Sequence, residues 1–399
     1  MKSIYFDVNV AKILATKALS AVLPPVHYSP LSPVQYGEVP ERGLPGPGWV
    51  RVRNIMTGIC GADISMFFVK ASPRISLAAL PGVPRAFMGH ETVGQVVETG
   101  SGVKRLRKGD RVTLQKYLPC CSMKEISPPC PQCRDGNYTL CENFSVGSVP
   151  ENLGAGFGPS MIAHESQLVK VPNSIPDDIA VLIEPASVSL HAVFRRPPRR
   201  GEKVLVIGAG TIGLNVIQCA RAIEPRCTLF LLEKIKFKRE LGLRLGADRL
   251  IEGDPYEAIA KATGAKLYRG PLGNNVMLGG FDLIYDCVGY SATIHDSLRW
   301  LAAKGTYMMI GNQLEPVAFD QTPVWQQELT IEGINAHGME YYRGRKVSSF
   351  DMAIDMINRK KIRLDGFVTH RFRLDDYKRA FKLVKEKSAD VIKAVFEIS

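Results

Sequence analysis

The 399-residue chain has no uninterrupted apolar run near the roughly 20 residues that cross a bilayer, so a membrane is not an expected partner. A secretory leader is not expected either. The nearest stretch, Val8 to Leu23, is preceded by Asp7 and interrupted by Lys12 and Lys17, and reads as an amphipathic helix with Leu14, Ala18 and Val22 on one face. A cytoplasmic location is the expectation that follows. Internal repeats and low-complexity tracts do not stand out either. Acidic residues are in deficit, 39 against 51 Lys and Arg, for a net charge of +12. No helix-turn-helix, zinc-finger or stacking-platform pattern accompanies this excess, so nucleic acid is not an expected partner. The densest basic cluster, Arg195, Arg196, Arg199 and Arg200 around Pro197 and Pro198, reads as a solvated linker. An anionic cofactor or substrate would answer part of the remaining charge.

What is present belongs to an ordinary globular chain of two or three domains, with 45% hydrophobic and 23% charged residues. Of nine cysteines, five lie between Cys120 and Cys141, and without a leader that clustering favours metal over disulfides. Short strands with Gly and Pro turns (Ile4 to Phe6, Val50 to Ile55, Thr92 to Glu98, Arg111 to Leu114) suggest a β-rich first domain. From about residue 190 strand and helix alternate, with strands at Val204 to Ile207, Leu229 to Leu232, Leu283 to Tyr285 and Thr306 to Ile310, as in a parallel sheet. Helices Phe350 to Asn358 and Tyr377 to Lys385, with a strand pair, close the chain.

The stretch Lys203 to Gly213 reads KVLVIGAGTIG, an apolar strand running into a helix through a glycine turn. Gly208, Gly210 and Gly213 match the G-x-G-x-x-G spacing of a dinucleotide site. In it the first glycine makes the turn, the second lets backbone approach a pyrophosphate, and the third lets helix pack on strand. Thr211 and Ile212 open the helix, whose free N–H groups face an anion. A second apolar run ends at Glu233, where a carboxylate can accept both ribose hydroxyls of NAD. Lys234, Lys236 and Lys238 follow and would suit the extra phosphate of NADP, so NAD is expected with NADP as the alternative.

Cys60 stands in Gly58-Ile59-Cys60-Gly61-Ala62-Asp63, and His90 thirty residues on in Gly89-His90-Glu91. Thiolate and imidazole are preferred zinc ligands, and three protein ligands with one open position make a catalytic site. These motifs, Ile183-Glu184-Pro185-Ala186-Ser187 and the nucleotide turn occur in the order found in zinc-containing medium-chain dehydrogenases. From about residue 36 the chain resembles that family, in its sorbitol and threonine dehydrogenase branch. The resemblance implies a catalytic zinc held by Cys60 and His90, with Glu184 as third ligand or as a carboxylate acting through water. Glu91 would lie behind the metal, able to replace water on it, and Asp63 would orient the histidine. Cys287, Val288, Gly289, Ile310 and Gly311 match segments that lie beside the nicotinamide. Cys130, Cys133 and Cys141 resemble the last three ligands of the family's structural zinc lobe. The first ligand is Cys120 or Cys121, and counting from Gly109-Asp110-Arg111-Val112 favours Cys120.

One position departs from the pattern. Ala62 stands where the family usually carries Ser or Thr, the hydroxyl that starts the substrate proton on its way out, and a methyl group cannot relay a proton.

The expected fold is α/β, with a GroES-like β-rich catalytic domain over 1–189 (structural zinc lobe about 118–143) and a Rossmann doubly wound parallel sheet over 190–337. Residues 338–399 would return to the catalytic domain. The expected activity is zinc-dependent hydride transfer between NAD and a secondary alcohol, polyol or amino alcohol, or the matching carbonyl. An NADPH-dependent carbonyl reductase and a non-catalytic nucleotide-binding protein of the same fold are the alternatives. A homo-oligomer, dimer or tetramer, is usual for the family. Phe67, Phe68, Lys70 and Arg74 either shape the substrate pocket or lie in a surface loop.

Overall fold

The computed structural model describes residues 1–72, 84–115, 118–311, 313–386 and 390–398, which leaves Arg74 outside. The chain forms two units, Met1–Glu184 with Leu364–Ser399, and Pro185–Arg363. The crossings thus fall at 184/185 and 363/364, not at 189/190 and 337/338. The helix Ser349–Asn358 consequently belongs to the second unit, where Phe350 and Ala353 are fully buried.

The first unit is organised around the strand Trp49–Gly58, whose Val50 and Val52 are completely buried. It pairs antiparallel with three others, Glu91–Thr99, Ser160–His164 and Lys393–Glu397. The sheet has seven strands, and extends through Arg111–Leu114 to Leu168–Lys170 on one side and to Val368–Phe372 on the other. A smaller sheet joins Val34–Glu38, Lys2–Asp7 and Arg85–Phe87. An aromatic core fills the unit, with Phe67 stacked on Phe381 at 4.3 Å between ring centres and Phe157 against Phe396 at 5.0 Å. Phe67 and Phe68 therefore belong to the core, while Lys70 is exposed.

The helix Val10–Ser20 forms as expected, but its orientation differs. Leu14 and Ala18 face solvent, and Val22, beyond the helix, is 82% exposed. The inward side is held by polar groups instead. Thr16 Oγ1 donates to Leu31 O at 2.8 Å, and Lys17 Nζ donates to the carbonyls of Val69, Lys70 and Ala71. These bonds, rather than an aliphatic stripe, tie that side of the helix to the unit.

The second unit carries six parallel strands. In spatial order they are Arg249–Leu250, Thr228–Leu232, Lys203–Ile207, Phe281–Asp286, Leu301–Met309 and Thr330–Gly333. Numbered along the chain this is 3-2-1-4-5-6, the doubly wound order with its switch point between the strands at 203 and 281. Val204, Leu205 and Val206 are fully buried, as a strand covered on both faces requires. No helix among the described residues is long and apolar enough to cross a membrane.

Candidate functional site

Sheet register assembles the first cluster. Gly58 pairs with Glu91, and Thr57 with Thr92, so the turn entering Cys60 lies against the turn carrying His90. Cys60 is the N-cap of the helix Gly61–Phe67. Gly89 sits at φ +88, and a Cβ there would meet Phe157 Cδ1 at 2.5 Å, so this turn requires glycine. Asp63 ties the two turns together, its Oδ2 accepting the Cys60 N–H at 2.9 Å and its Oδ1 the Gly89 N–H at 3.4 Å. One ligand atom each from Cys60, His90 and Glu91 lie within 4.8 Å of one another.

The electrostatics are those of a buried, charge-dense site. Burial pushes the Cys60 thiol up, opposed by His90. Burial alone would lower His90, but Cys60, Asp63 and Glu184 raise it well above its ordinary value. Glu184, 3% exposed, is pushed up to about 7 by burial, with His90 opposing and Glu91 adding. Such a set suits a divalent cation. A dication favours the thiolate and carboxylate forms that burial disfavours, and sulfur with imidazole nitrogen is the donor set zinc prefers.

The glycine turn lies at the carboxyl ends of the parallel strands. The Glu233 carboxylate accepts N–H bonds from Ala209 in the turn at 2.7 Å and from Lys234 and Ile235. Cys287, Val288 and Gly289 follow the fourth strand, and Asp286 Oδ1 accepts the N–H groups of Val288 and Gly289. The Ile310 and Gly311 N–H groups both reach Asp286 O, which draws the end of the fifth strand to the same place. Thr211 and Ile212 open the helix Thr211–Ile223, with Gly210 as its N-cap. Lys238 is buried in the helix Lys236–Arg244, whereas Lys234 and Lys236 are exposed.

A third cluster joins Cys121, Cys130, Cys133 and Cys141, all buried, with ligand atoms within 4.8 Å of one another. Cys121 Sγ lies 3.7 Å from Cys141 Sγ, which is 4.0 Å from Cys130 Sγ. A tetrahedron with Zn–S bonds of about 2.3 Å has S–S edges of about 3.8 Å, so the sulfurs fit the ion. The cradle is polarised for thiolates. Cys121 Sγ accepts the Cys130 N–H and the Asn143 amide, and Cys130 Sγ accepts the Cys133 N–H. Burial raises Cys130, yet the backbone N–H groups of Cys133 and Glu142 bring it down to about 7. The sulfur that meets those of Cys130, Cys133 and Cys141 is thus that of Cys121, where counting from the Gly-Asp-Arg-Val turn favours Cys120. Cys120 is fully buried in the same hydrophobic cluster, with Trp49 and Met123, but is not among the four residues whose ligand atoms converge.

Two family models match the chain, an alcohol dehydrogenase GroES-like domain over residues 46–173 and a zinc-binding dehydrogenase domain over 211–359. The chain belongs to the zinc-dependent medium-chain dehydrogenases. It is 29% identical to an L-idonate 5-dehydrogenase of Vitis vinifera over 370 residues, covering 88% of this chain and 89% of the relative. It is 28% identical to an L-threonine 3-dehydrogenase of Pyrococcus abyssi, covering 86% and 89%. A solved structure described as a short chain alcohol dehydrogenase of E. coli CFT073, complexed with NADH, shares the fold with a TM-score of 0.73. Its identity is 21%, over 100% of this chain and 99% of that one.

As a member of this family, the protein is an alcohol or polyol dehydrogenase of the zinc type, using zinc and NAD(P). The dehydrogenase also has a site residue that its motifs do not reveal. Lys393 Nζ, in the strand that pairs with Met56–Gly58, donates to both oxygens of Glu91 at 2.7 and 2.5 Å and to Ile59 O at 3.3 Å. Both residues of the pair are buried. The signal available in sequence is only a lone lysine opening an apolar strand.

Proposed function

We propose that this dehydrogenase oxidises a secondary alcohol, polyol or amino alcohol with NAD, at a catalytic zinc held by Cys60, His90 and a carboxylate, and that Cys121, Cys130, Cys133 and Cys141 hold a second, structural zinc. The convergence of Cys60, His90 and Glu91 within 4.8 Å carries the reading. When bound at the first site, zinc supplies Lewis acidity, lowering the pKa of an oxygen acid by several units (for water from about 15.7 to about 7).

The chain's own residues do the rest. Cys60 and His90 offer the donors, and Asp63 fixes the backbone on both sides, so the two ligands cannot drift apart. The nucleotide helix offers free N–H groups to the pyrophosphate. Glu233, pinned by three backbone donors, stands ready for the ribose hydroxyls, and a fixed carboxylate repels a phosphate there, which favours NAD over NADP. With Ala62 at the usual relay position, the substrate proton leaves to water. Substrates resembling those of the idonate and threonine enzymes, with a hydroxyl beside a second polar group, are the first to test.

The decisive experiment is Cys60→Ala. It removes one bound metal per chain and turnover while NADH still binds; retention of the full rate would place the chemistry elsewhere. Association into a dimer or tetramer belongs to the same reading. The strand Thr330–Gly333 ends its sheet, and Trp325 and Ile331 nearby are 72% and 40% exposed. A monomer mass by light scattering at micromolar concentration would refute it.

A further inference from the structure

The fourth strand of the second unit, Phe281–Asp286, ends on a carboxylate that the motifs pass over. Asp286 is completely buried. Its Oδ1 accepts the N–H groups of Val288 at 2.8 Å and Gly289 at 3.0 Å, while its Oδ2 accepts the hydroxyls of Thr293 at 2.9 Å and Tyr307 at 2.8 Å. All four donors are neutral, and no cation among the described residues forms an ion pair with it. Hydrogen bonds of this kind hold a charge in place without cancelling it. The strand lies beside the switch point, and a doubly wound sheet takes one half of a dinucleotide on each side of that point. Glu233 follows the second strand and so belongs to the first half. The nicotinamide half then falls at the ends of Phe281–Asp286 and Leu301–Met309. Asp286 knits these ends together and to the glycine turn. Its carbonyl accepts the N–H groups of Ile310 at 3.1 Å and Gly311 at 2.8 Å, and a Cβ at Gly311 would meet Val288 C at 2.5 Å. One at Gly208 would meet Val288 Cγ2 at 2.7 Å.

We propose that Asp286 determines the oxidation state of the cofactor that the site prefers, its buried charge favouring NAD over NADH. The inference rests on the nucleotide site proposed above. The nicotinamide ring is cationic in NAD and neutral in NADH, so a fixed negative charge beneath its end of the crevice attracts the first and is nearly indifferent to the second. An exposed acid could not do this, because water and salt would screen it. A hydride arriving on the ring, with the electron pair of the alcohol C–H bond, removes the positive charge that the carboxylate attracts. Asp286 thus tightens the complex that begins alcohol oxidation and loosens the one that ends it.

The test titrates the full-length protein separately with NAD and with NADH, by calorimetry and by NADH fluorescence, and takes the ratio of the two dissociation constants. In Asp286→Asn the ratio Kd(NAD)/Kd(NADH) should rise at least about threefold, through weaker binding of NAD. A residue that only held the two strand ends together would weaken both forms alike, so any smaller rise overturns the proposal. Tyr307→Phe takes one neutral donor from the carboxylate and leaves its charge, so the ratio should stay where it is or fall. A rise in that variant overturns the proposal too, a comparison that stands even if Asp286→Asn does not fold. If the unaltered chain binds neither form, the nucleotide site itself is misassigned, a failure distinct from that of Asp286.

Discussion

Replacing Cys121 and Cys120 in turn by alanine separates a ligand from its neighbour. The Cys121 sulfur is 3.7 Å from Cys141, close to the 3.8 Å or so of a tetrahedral thiolate edge, and it accepts two hydrogen bonds that only a polarised sulfur would gather. Its removal opens a closed site. Structural zinc contributes on the order of 10 kcal/mol to folding of small zinc modules, so the lobe that depends on it should lose order. Cys120→Ala only trims one buried sulfur from a hydrophobic cluster, about 1 kcal/mol, or roughly 2–4 °C in Tm for a unit of this size. Metal analysis by atomic emission should give one zinc fewer per chain for Cys121→Ala and the full complement for Cys120→Ala. Limited proteolysis should cut the first variant within about residues 118–146 and spare the second. Loss of metal from the Cys120 variant with retention by the Cys121 variant would refute the assignment.

Other outcomes follow from single contacts. In Gly213→Ala the new Cβ would stand 1.8 Å from Gly208 O, an overpacking that should cost about 3 kcal/mol and abolish NADH binding, both measurable by thermal melts and fluorescence titration. Gly210→Ala meets nothing within 4 Å, so it should fold normally and lose NADH affinity alone; unchanged affinity would contradict the pyrophosphate site. Glu202 accepts from Arg196 and from the Arg199 N–H, and although burial alone would raise it, these donors hold it below its ordinary 4.5. A depressed carboxylate stabilises above the unfolded pKa and loses that contribution as pH falls through the folded one. Glu202→Gln should therefore cost about 1 kcal/mol at pH 7, with the gap to the unaltered protein closing as pH drops below about 4.5. A gap that persists at pH 3 would show the ion pair to be irrelevant.

Local signals carried far here. The glycine turn with its flanking strand, helix and acid implies a doubly wound sheet, because each residue acts on its immediate neighbours. The Cys-Gly-x-Asp and Gly-His-Glu segments are legible for the same reason, since Asp63 binds Cys60 three residues away. What escaped depends on direction or on distance. Whether Cys120 or Cys121 joins the sulfur cluster is not set by spacing, since the two are neighbours and both are buried. Arg196 reads as part of a solvated basic linker, but it is paired with Glu202, both side chains 14% exposed, and Tyr285 Oη donates to its carbonyl. The hairpin Met339–Tyr342 with Arg345–Ser348 is anchored by Glu340 on His191, 149 residues away. Lys393 meets Glu91 across 302 residues, and no spacing rule spans that interval.

The central strand Trp49–Gly58 has a consequence for assembly. Its end, Met56–Gly58, is covered on one side by Lys393–Glu397, the latest strand in the sequence to join the sheet. During synthesis the whole second unit, Pro185–Arg363, emerges while that edge is still bare. Cys60, His90 and Glu91 are then all present, and Glu91 has no ammonium to hold it. The nascent first unit is an open-edged sheet with the Cys60 turn at its border, vulnerable to pairing with another chain until that strand arrives. One short strand, added after the second unit, both covers that edge and brings the Lys393 ammonium to Glu91, so the edge and the charge beside Cys60 and His90 are settled in the same step.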